Sequence, residues 1–327
     1  MRRRSLIFGL GGSAIAWPFL ARAQQARPPL IGFLGATSPD VYATRLRAFH
    51  QGLKESGHVE DQNVKIEYRW ANDRYERLAA LAAELVQRPV TVITAAGIPS
   101  AFAAKAATAT IPIVFEGAVD PVEVGLVSSL KRPGGNLTGV VSQNVDVGPK
   151  RLELLRELLP RATIVAVLIN PANPANAEQI RHVLEPTAHA LGIELHTVPA
   201  SAESDFETAF ATMSQLRADA LVITPDVFFS GRSEQLAARA LRQGLPAFYE
   251  FRPFVEAGGL VSYGSSELEF YRLVGIQTGK VLDGEMPANL PVQQATKVEL
   301  LINVETAKTL GITVPESLLA RADEVIE

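Results

Sequence analysis

The sequence predicts an α/β protein of two lobes, each a mainly parallel sheet with helices on both faces. Three observations carry this expectation. Short apolar runs alternate with helical patterns from residue 29 onward, and β–α alternation points to parallel sheets. The turn-dense stretch Arg132-Pro133-Gly134-Gly135-Asn136 breaks the alternation once, after which the scheme restarts. The chain has 327 residues, 47% hydrophobic and 20% charged, enough for two domain-sized cores. A single continuous nine-strand sheet is the alternative.

Pro29–Gly35 reads as a buried strand. A helix over 40–56 follows, opened by Ser38-Pro39-Asp40 and closed by Gly57. Residues 64–70 alternate with period two, as in an edge strand with one wet face. A helix over 74–87, a strand at 90–95, a helix over 99–108 and a strand at 111–115 complete the first lobe's alternation. Asp120-Pro121 stands ahead of a short helical stretch. In the second lobe, helices are expected over 148–159, from 174 to about 191, over 204–216 and over 231–243. Strands are expected at 163–169, 193–198, 220–224, 246–249 and 260–264. Ser204-x-x-Glu207 has the spacing of a capping box. A helix over 266–282 has the length to pack back on the first lobe. A strand at 297–303 and a short helix at 304–310 precede the final segment.

Composition removes several functions. With no cysteine, disulfides, thiol nucleophiles, Cys–zinc sites and a lipid-modified Cys are excluded. Net charge is −4, with no basic block after the first residues, so no nucleic-acid partner is expected. Arg2-Arg3-Arg4, an apolar region to Leu20 and Ala21-Arg22-Ala23 form a basic, apolar and A-x-A pattern. That pattern predicts a signal peptide over 1–23, twin-arginine (Tat) in type, and a periplasmic location with no lipid anchor. Gly9-Leu10-Gly11-Gly12-Ser13-Ala14 fits G-x-G-x-x-A, but no strand precedes it, so it is not read as a dinucleotide site. The five histidines have no metal-ligand spacing, and nucleophile-elbow, H-E-x-x-H and Walker A motifs are absent from the sequence. No enzyme, cofactor or metal is expected.

Binding is the better fit. Val92–Ala96 runs through Gly97 into an Ala-rich helix beginning near Pro99 or Ser100, and a helix start presents free N–H groups to a carboxylate. Ligands of open α/β sheets sit at the carboxyl ends of the strands. Those ends hold Thr37, Ser38, Gly97, Ser100, Asp120, Asn144, Asn170, Asp226, Phe228, Phe229 and Tyr249. Small residues, hydrogen-bonding groups and aromatics together suit a small polar ligand with an apolar part.

Longer stretches carry a resemblance. Ile31–Gly35, Gly52–Glu55, Glu67–Ala71, Ile111–Phe115, Arg132–Gly139, Pro149–Leu155, Ala257–Gly264 and the tail from Pro291 follow one family in order. The chain resembles the ABC-transporter solute-binding proteins of the tryptophan/tyrosine type. The resemblance implies a type I periplasmic binding-protein fold: two Rossmann-like lobes, three hinge crossings and a ligand in the cleft. On that scheme the lobes are 29–140 plus 265–290 and 141–264 plus 291–327. It places hinges near Gly139–Ser142, Tyr263–Ser265 and Leu290–Gln293. It also implies a monomer that delivers a small solute to an ABC permease and its ATPase. A ligand carboxylate is then expected at Gly97 and Ser100, and an ammonium at Asp120 or Asp226. Further hydrogen bonds would come from Thr37, Ser38, Asn144 and Asn170, and stacking from Tyr249, Phe228 or Phe229. The best guess for the solute is an aromatic or other apolar amino acid. A ligand sensor of the same fold, and an exported α/β enzyme, are the alternatives.

Overall fold

The computed structural model describes residues 28–327; the expected signal peptide lies outside them. The chain builds two separate sheets rather than one. The first lobe opens with β1 (Leu30–Gly35), α1 (Pro39–Glu55), β2 (Lys65–Trp70), α2 (Leu78–Val86), β3 (Val92–Ala96), α3 (Ile98–Ala107), β4 (Ile113–Gly117) and β5 (Leu137–Ser142). The second runs through α4 (Gly148–Leu158), β6 (Ile164–Ile169), α5 (Pro174–Ala190), β7 (Glu194–Pro199), α6 (Asp205–Gln215), β8 (Ala220–Ile223), α7 (Val227–Ser230), α8 (Ser233–Arg242), β9 (Ala247–Tyr249), α9 (Arg252–Glu256) and β10 (Val261–Ser265). The chain then returns to the first lobe for α10 (Glu267–Leu282) and β11 (Gln293–Ala295). It ends in the second with β12 (Val298–Asn303), α11 (Val304–Thr309), α12 (Glu316–Leu319) and β13 (Glu324–Ile326).

The first sheet has the order β11-β5-β4-β3-β1-β2 and is parallel throughout. The second has the order β13-β12-β10-β9-β8-β6-β7, with β10 and β12 its antiparallel pair. Strands β3, β4 and β5 are buried along their whole length and mainly apolar, as a parallel sheet covered on both faces requires. β2 lies at the sheet edge, where its alternating Glu67 and Arg69 side chains form an ion pair. Helix α10 lies against α1 at very close range: a Cβ on Gly52 would stand 1.9 Å from Arg272 O, and one on Gly275 2.1 Å from Phe49 O. Hydrogen lets the two backbones meet where a methyl would not fit.

Three details depart from the sequence reading. Residues 293–295 pair with β5 in the first sheet, so the third crossing follows Ala295, beyond the boundary expected at 291; β5 likewise keeps 141–142 in the first lobe. Ser204 makes no capping bond; the Asp205 carboxylate instead accepts from the Ser201 and Ala202 N–H groups at 2.8 and 2.9 Å, folding the loop back onto the helix start. Residues 121–126 turn without becoming a helix.

The three crossings lie side by side. Gln143 N donates to Ser265 Oγ at 3.0 Å, Ser265 N donates to Asn144 Oδ1 at 2.7 Å, and Ser266 N donates to Lys297 O at 2.9 Å. Arg151, buried under them, donates from Nε to Tyr263 O at 2.7 Å.

Candidate functional site

The carboxyl ends of the two sheets face each other across a cleft. From the first lobe, the cleft cavity is lined by Arg45, Gly97, Glu116 and the start of α10 at Phe270 and Tyr271. From the second it is lined by Asn173, Asn176, Asp226, Ser230 and Phe251. The space open to water centres is about 50 Å3, room for a few waters.

Gly97 ends the β3 run and precedes α3 with φ 97° and ψ 148°, a conformation glycine holds without a side-chain clash. The first N–H groups of α3 therefore open toward the cleft. Glu116, near the end of β4, is 3% exposed, and its Oε1 accepts from the hydroxyls of Tyr42 and Tyr271, each at 3.3 Å. Burial pushes its carboxyl up to about 7; the Arg45 charge, the two phenols and the Gly97 N–H act the other way.

Arg45 projects from α1 and is 4% exposed. Its Nε lies 2.9 Å from Glu267 Oε1, and Nη2 lies 2.8 Å from the same atom. Nη2 also donates across the cleft to Ser230 Oγ at 2.7 Å, while Nη1 has no partner. The guanidinium carbon sits 5.1 and 5.6 Å from the ring centres of Tyr42 and Tyr271, cation–π distances.

Asp226 caps α7 and is 5% exposed. Its Oδ1 accepts from Asn170 Nδ2 at 3.1 Å, from Phe228 N at 2.9 Å and from the Tyr75 hydroxyl of the opposite lobe at 3.3 Å. Its Oδ2 accepts from Asn173 Nδ2 at 2.9 Å. Burial raises its pKa, and these neutral donors counter the rise. A carboxylate oxygen offers two lone-pair directions, so Oδ2 keeps capacity for a further donor.

Of the residues expected at the site, Gly97 and Asp226 line the cavity. Asn170 stands behind Asp226 and orients it. Ser100 and Thr37 are buried with unpartnered hydroxyls, outside the lining, and Ser38 occupies the cap position of α1. Four expectations need correcting. Asp120 turns its carboxylate onto the Val122 and Glu123 N–H groups at 2.7 and 3.3 Å, closing its own turn. Asn144 turns its Oδ1 onto Ser265 N at the crossing and stands outside the cavity lining, its buried Nδ2 without a partner. Phe228 and Phe229 are buried in the second lobe's core with Phe206, where hydrophobic burial outweighs proximity to the cleft. Tyr249 stacks on Phe254 at 4.6 Å in the same core. The aromatic walls are instead Phe251, Phe270 and Tyr271; the sequence reading missed Phe270 and Tyr271 along with Arg45 and Glu116.

A profile of ABC transporter substrate binding proteins matches residues 36–326. The chain belongs to this family. This substrate-binding protein is 28% identical over 270 residues to a "Tyrosine-binding protein" of Clostridioides difficile, a match spanning 81% of this chain and 76% of the relative. A Vibrio cholerae structure described as a conserved domain protein superposes with a TM-score of 0.84 at 28% identity, covering 91% of this chain and 99% of the other. An "ABC domain in complex with L-Trp" from Streptococcus pneumoniae gives 0.84 at 26% identity with the same coverage. The substrate-binding protein therefore has the type I periplasmic binding-protein fold, with its cleft between the two sheets.

Proposed function

We propose that this substrate-binding protein captures a small amine-bearing solute between its lobes and presents it to an ABC permease and ATPase for import. The observation that carries the reading is the cleft cavity. Its wall joins a buried, incompletely used carboxylate, Asp226, to the aromatic side chains Phe251, Phe270 and Tyr271. A carboxylate of this kind takes an ammonium, and the rings take an apolar body. The relatives described as tyrosine-binding and L-Trp-bound make aromatic amino acids the first candidates, with other apolar amino acids next.

Capture by closure follows from the layout. Each lobe supplies part of the wall, and Arg45–Ser230, Tyr75–Asp226 and Arg232–Asp73 tie the lobes together. A solute enters when these links part and the three crossings flex. The protein acts as a binder rather than an enzyme, and the basic segment ahead of Ala21–Ala23 supports export to the periplasm.

The test is calorimetric titration of the full chain with amino acids and related amines, beside Asp226→Asn. A solute that binds stoichiometrically and loses at least about tenfold in the variant supports the reading; such a loss is the low end for a charged hydrogen bond. A bound solute whose affinity is untouched by the variant removes Asp226 from the site.

A further inference from the structure

Glu116 stands beside the part of the cleft that suits an anion. It pairs in register with Ala96, so its carboxyl lies next to the turn at Gly97 where β3 gives way to α3. The packing there is tight: a Cβ on the following Gly117 would stand 2.3 Å from Ile98 Cδ1. In the first turn of α3 the Ile98 and Ser100 N–H groups have no intrahelical acceptor, and the positive end of the helix dipole lies with them. From α1, Arg45 adds Nη1, a buried donor without a partner on a side chain that lines the same cavity. Helix start and guanidinium together accept a carboxylate, while Asp226 on the second lobe accepts an ammonium.

The surroundings of Glu116 decide how it meets such a carboxylate. α1 turns Tyr42 and Arg45 toward it, and α10 turns Tyr271 toward it and pairs Glu267 with Arg45. The turn into α3 adds the Gly97 N–H, its β5 register partner Val140 is apolar, and across the cleft the second lobe presents Asp226. Both phenols bond to Oε1, and Oε2 takes neither. Arg45 and Glu267 cancel. An amino acid brings one charge of each sign, so an ionised Glu116 beside an ionised Asp226 leaves a surplus of acid. When two carboxylates share a buried site, the ionised form of one is disfavoured and it keeps a proton.

We propose that Glu116 takes up a proton from the buffer when an amino acid binds with its carboxylate at the start of α3 and at Arg45 Nη1. This rests on the capture reading above and adds a protonation step to it. The protonated carboxyl becomes a donor to the solute, and the Tyr42 and Tyr271 hydroxyls, which can donate or accept, stay bonded in either state. In the free protein burial pushes Glu116 up to about 7, so at neutral pH about half the molecules already hold the proton and the rest acquire it on binding. Because the bound form holds more protons, affinity falls as pH rises through 7, by a factor approaching about ten per pH unit.

The test is calorimetric titration of the full chain with L-tryptophan, L-tyrosine, L-phenylalanine, L-leucine and L-methionine in phosphate and in imidazole buffer. Proton uptake is the difference in binding heat between the buffers divided by the difference in their ionisation enthalpies. About half a proton per solute is expected at pH 7 and almost none at pH 5.5, with a dissociation constant about five- to tenfold larger at pH 8 than at pH 6. Glu116→Gln should show no uptake and a dissociation constant that stays level between pH 6 and 8. Tyr42→Phe removes a donor that favours the ionised carboxyl, so the fall in affinity should begin at higher pH; this variant decides the matter if the first fails to fold. An amino acid that binds without proton uptake overturns the role of Glu116 and leaves capture standing. So does uptake that persists in Glu116→Gln, or an unmoved pH profile in Tyr42→Phe. If none of the amino acids binds, the amino-acid reading falls and this proposal falls with it.

Discussion

Arg45 Nη2, on the first lobe, donates to Ser230 Oγ, on the second, at 2.7 Å, inside a cleft that both residues line. The same guanidinium is anchored to Glu267 on its own lobe, so a fixed charge spans the opening. The contact ties the two lobes together across the cleft.

Ser230→Ala should therefore favour the open arrangement. The lost bond involves a charged group, worth about 1.5–3 kcal/mol. Small-angle scattering of the solute-free protein should show a larger radius of gyration in the variant. An unchanged radius would mean that the contact has no influence on closure.

Arg45→Met leaves Glu267, its side chain only 9% exposed, without its cation. Breaking a buried pair this way costs about 3–5 kcal/mol, whereas replacing both partners by apolar groups is far milder. Urea denaturation should show a large loss for the single variant and recovery of most of it in Arg45→Met/Glu267→Leu. Equal losses in both would place the damage in packing rather than in charge.

Stability should also fall as pH rises from mildly acidic to alkaline. Glu250 is 1% exposed, its two carboxylate oxygens lack hydrogen-bond partners, and burial pushes its pKa from 4.5 up to about 8 despite the nearby Arg151. Burial likewise takes Glu116 from 4.5 to about 7, against the pull of Arg45. Both carboxyls keep a proton in the folded chain at pH values where the unfolded chain has lost it. Their contribution is complete below about pH 4.5 and disappears as pH climbs through 7 and 8. Denaturation midpoints at pH 5, 7 and 9 should decline for the wild type. Glu250→Gln should flatten the decline and be the more stable protein at pH 9; parallel curves would show that Glu250 does not drive it.

Gly275→Ala tests the contact between α1 and α10. The new methyl would stand 2.1 Å from Phe49 O, a backbone atom, so the helices must separate. Overpacking of this kind costs about 1–3 kcal/mol, sometimes more. Gly192→Ala is a useful contrast: nothing lies within 4 Å of its added carbon, and its φ of 65° costs about 1–2 kcal/mol. Thermal denaturation should rank Gly275→Ala as the more damaging, and the reverse order would mean that α10 accommodates the methyl by sliding.

Much of the architecture was legible in the sequence because its signals are periodic. The alternation at 64–70 marks β2 as an edge strand, and it lies at the edge. The strand β11 was missed because Gln293-Gln294-Ala295 has neither length nor an apolar run; its pairing with β5 places it. For the site, position along the sheet was readable and side-chain direction was not. Phe228 and Tyr249 stand at strand ends as expected, yet their rings turn inward to Phe206 and Phe254. Arg45 gave no local signal in the sequence, because only α10, more than two hundred positions later, supplies the Glu267 that pairs with it. Glu116 did leave a mark: an acid at the end of the buried run Ile113-Val114-Phe115 is out of place unless the site requires it.

The return of the chain to its first lobe sets the order in which the molecule can be finished. α10 and β11 complete a sheet whose other five strands end at Ser142, while the second lobe waits for β12 and β13. Neither half is a contiguous piece of the gene. A nascent chain cannot complete its first sheet before Ala295 has been made, nor its second before Ile326, so both lobes should mature late, at or after the end of synthesis. Chaperone residence time and susceptibility to proteases should accordingly drop in one late step rather than lobe by lobe.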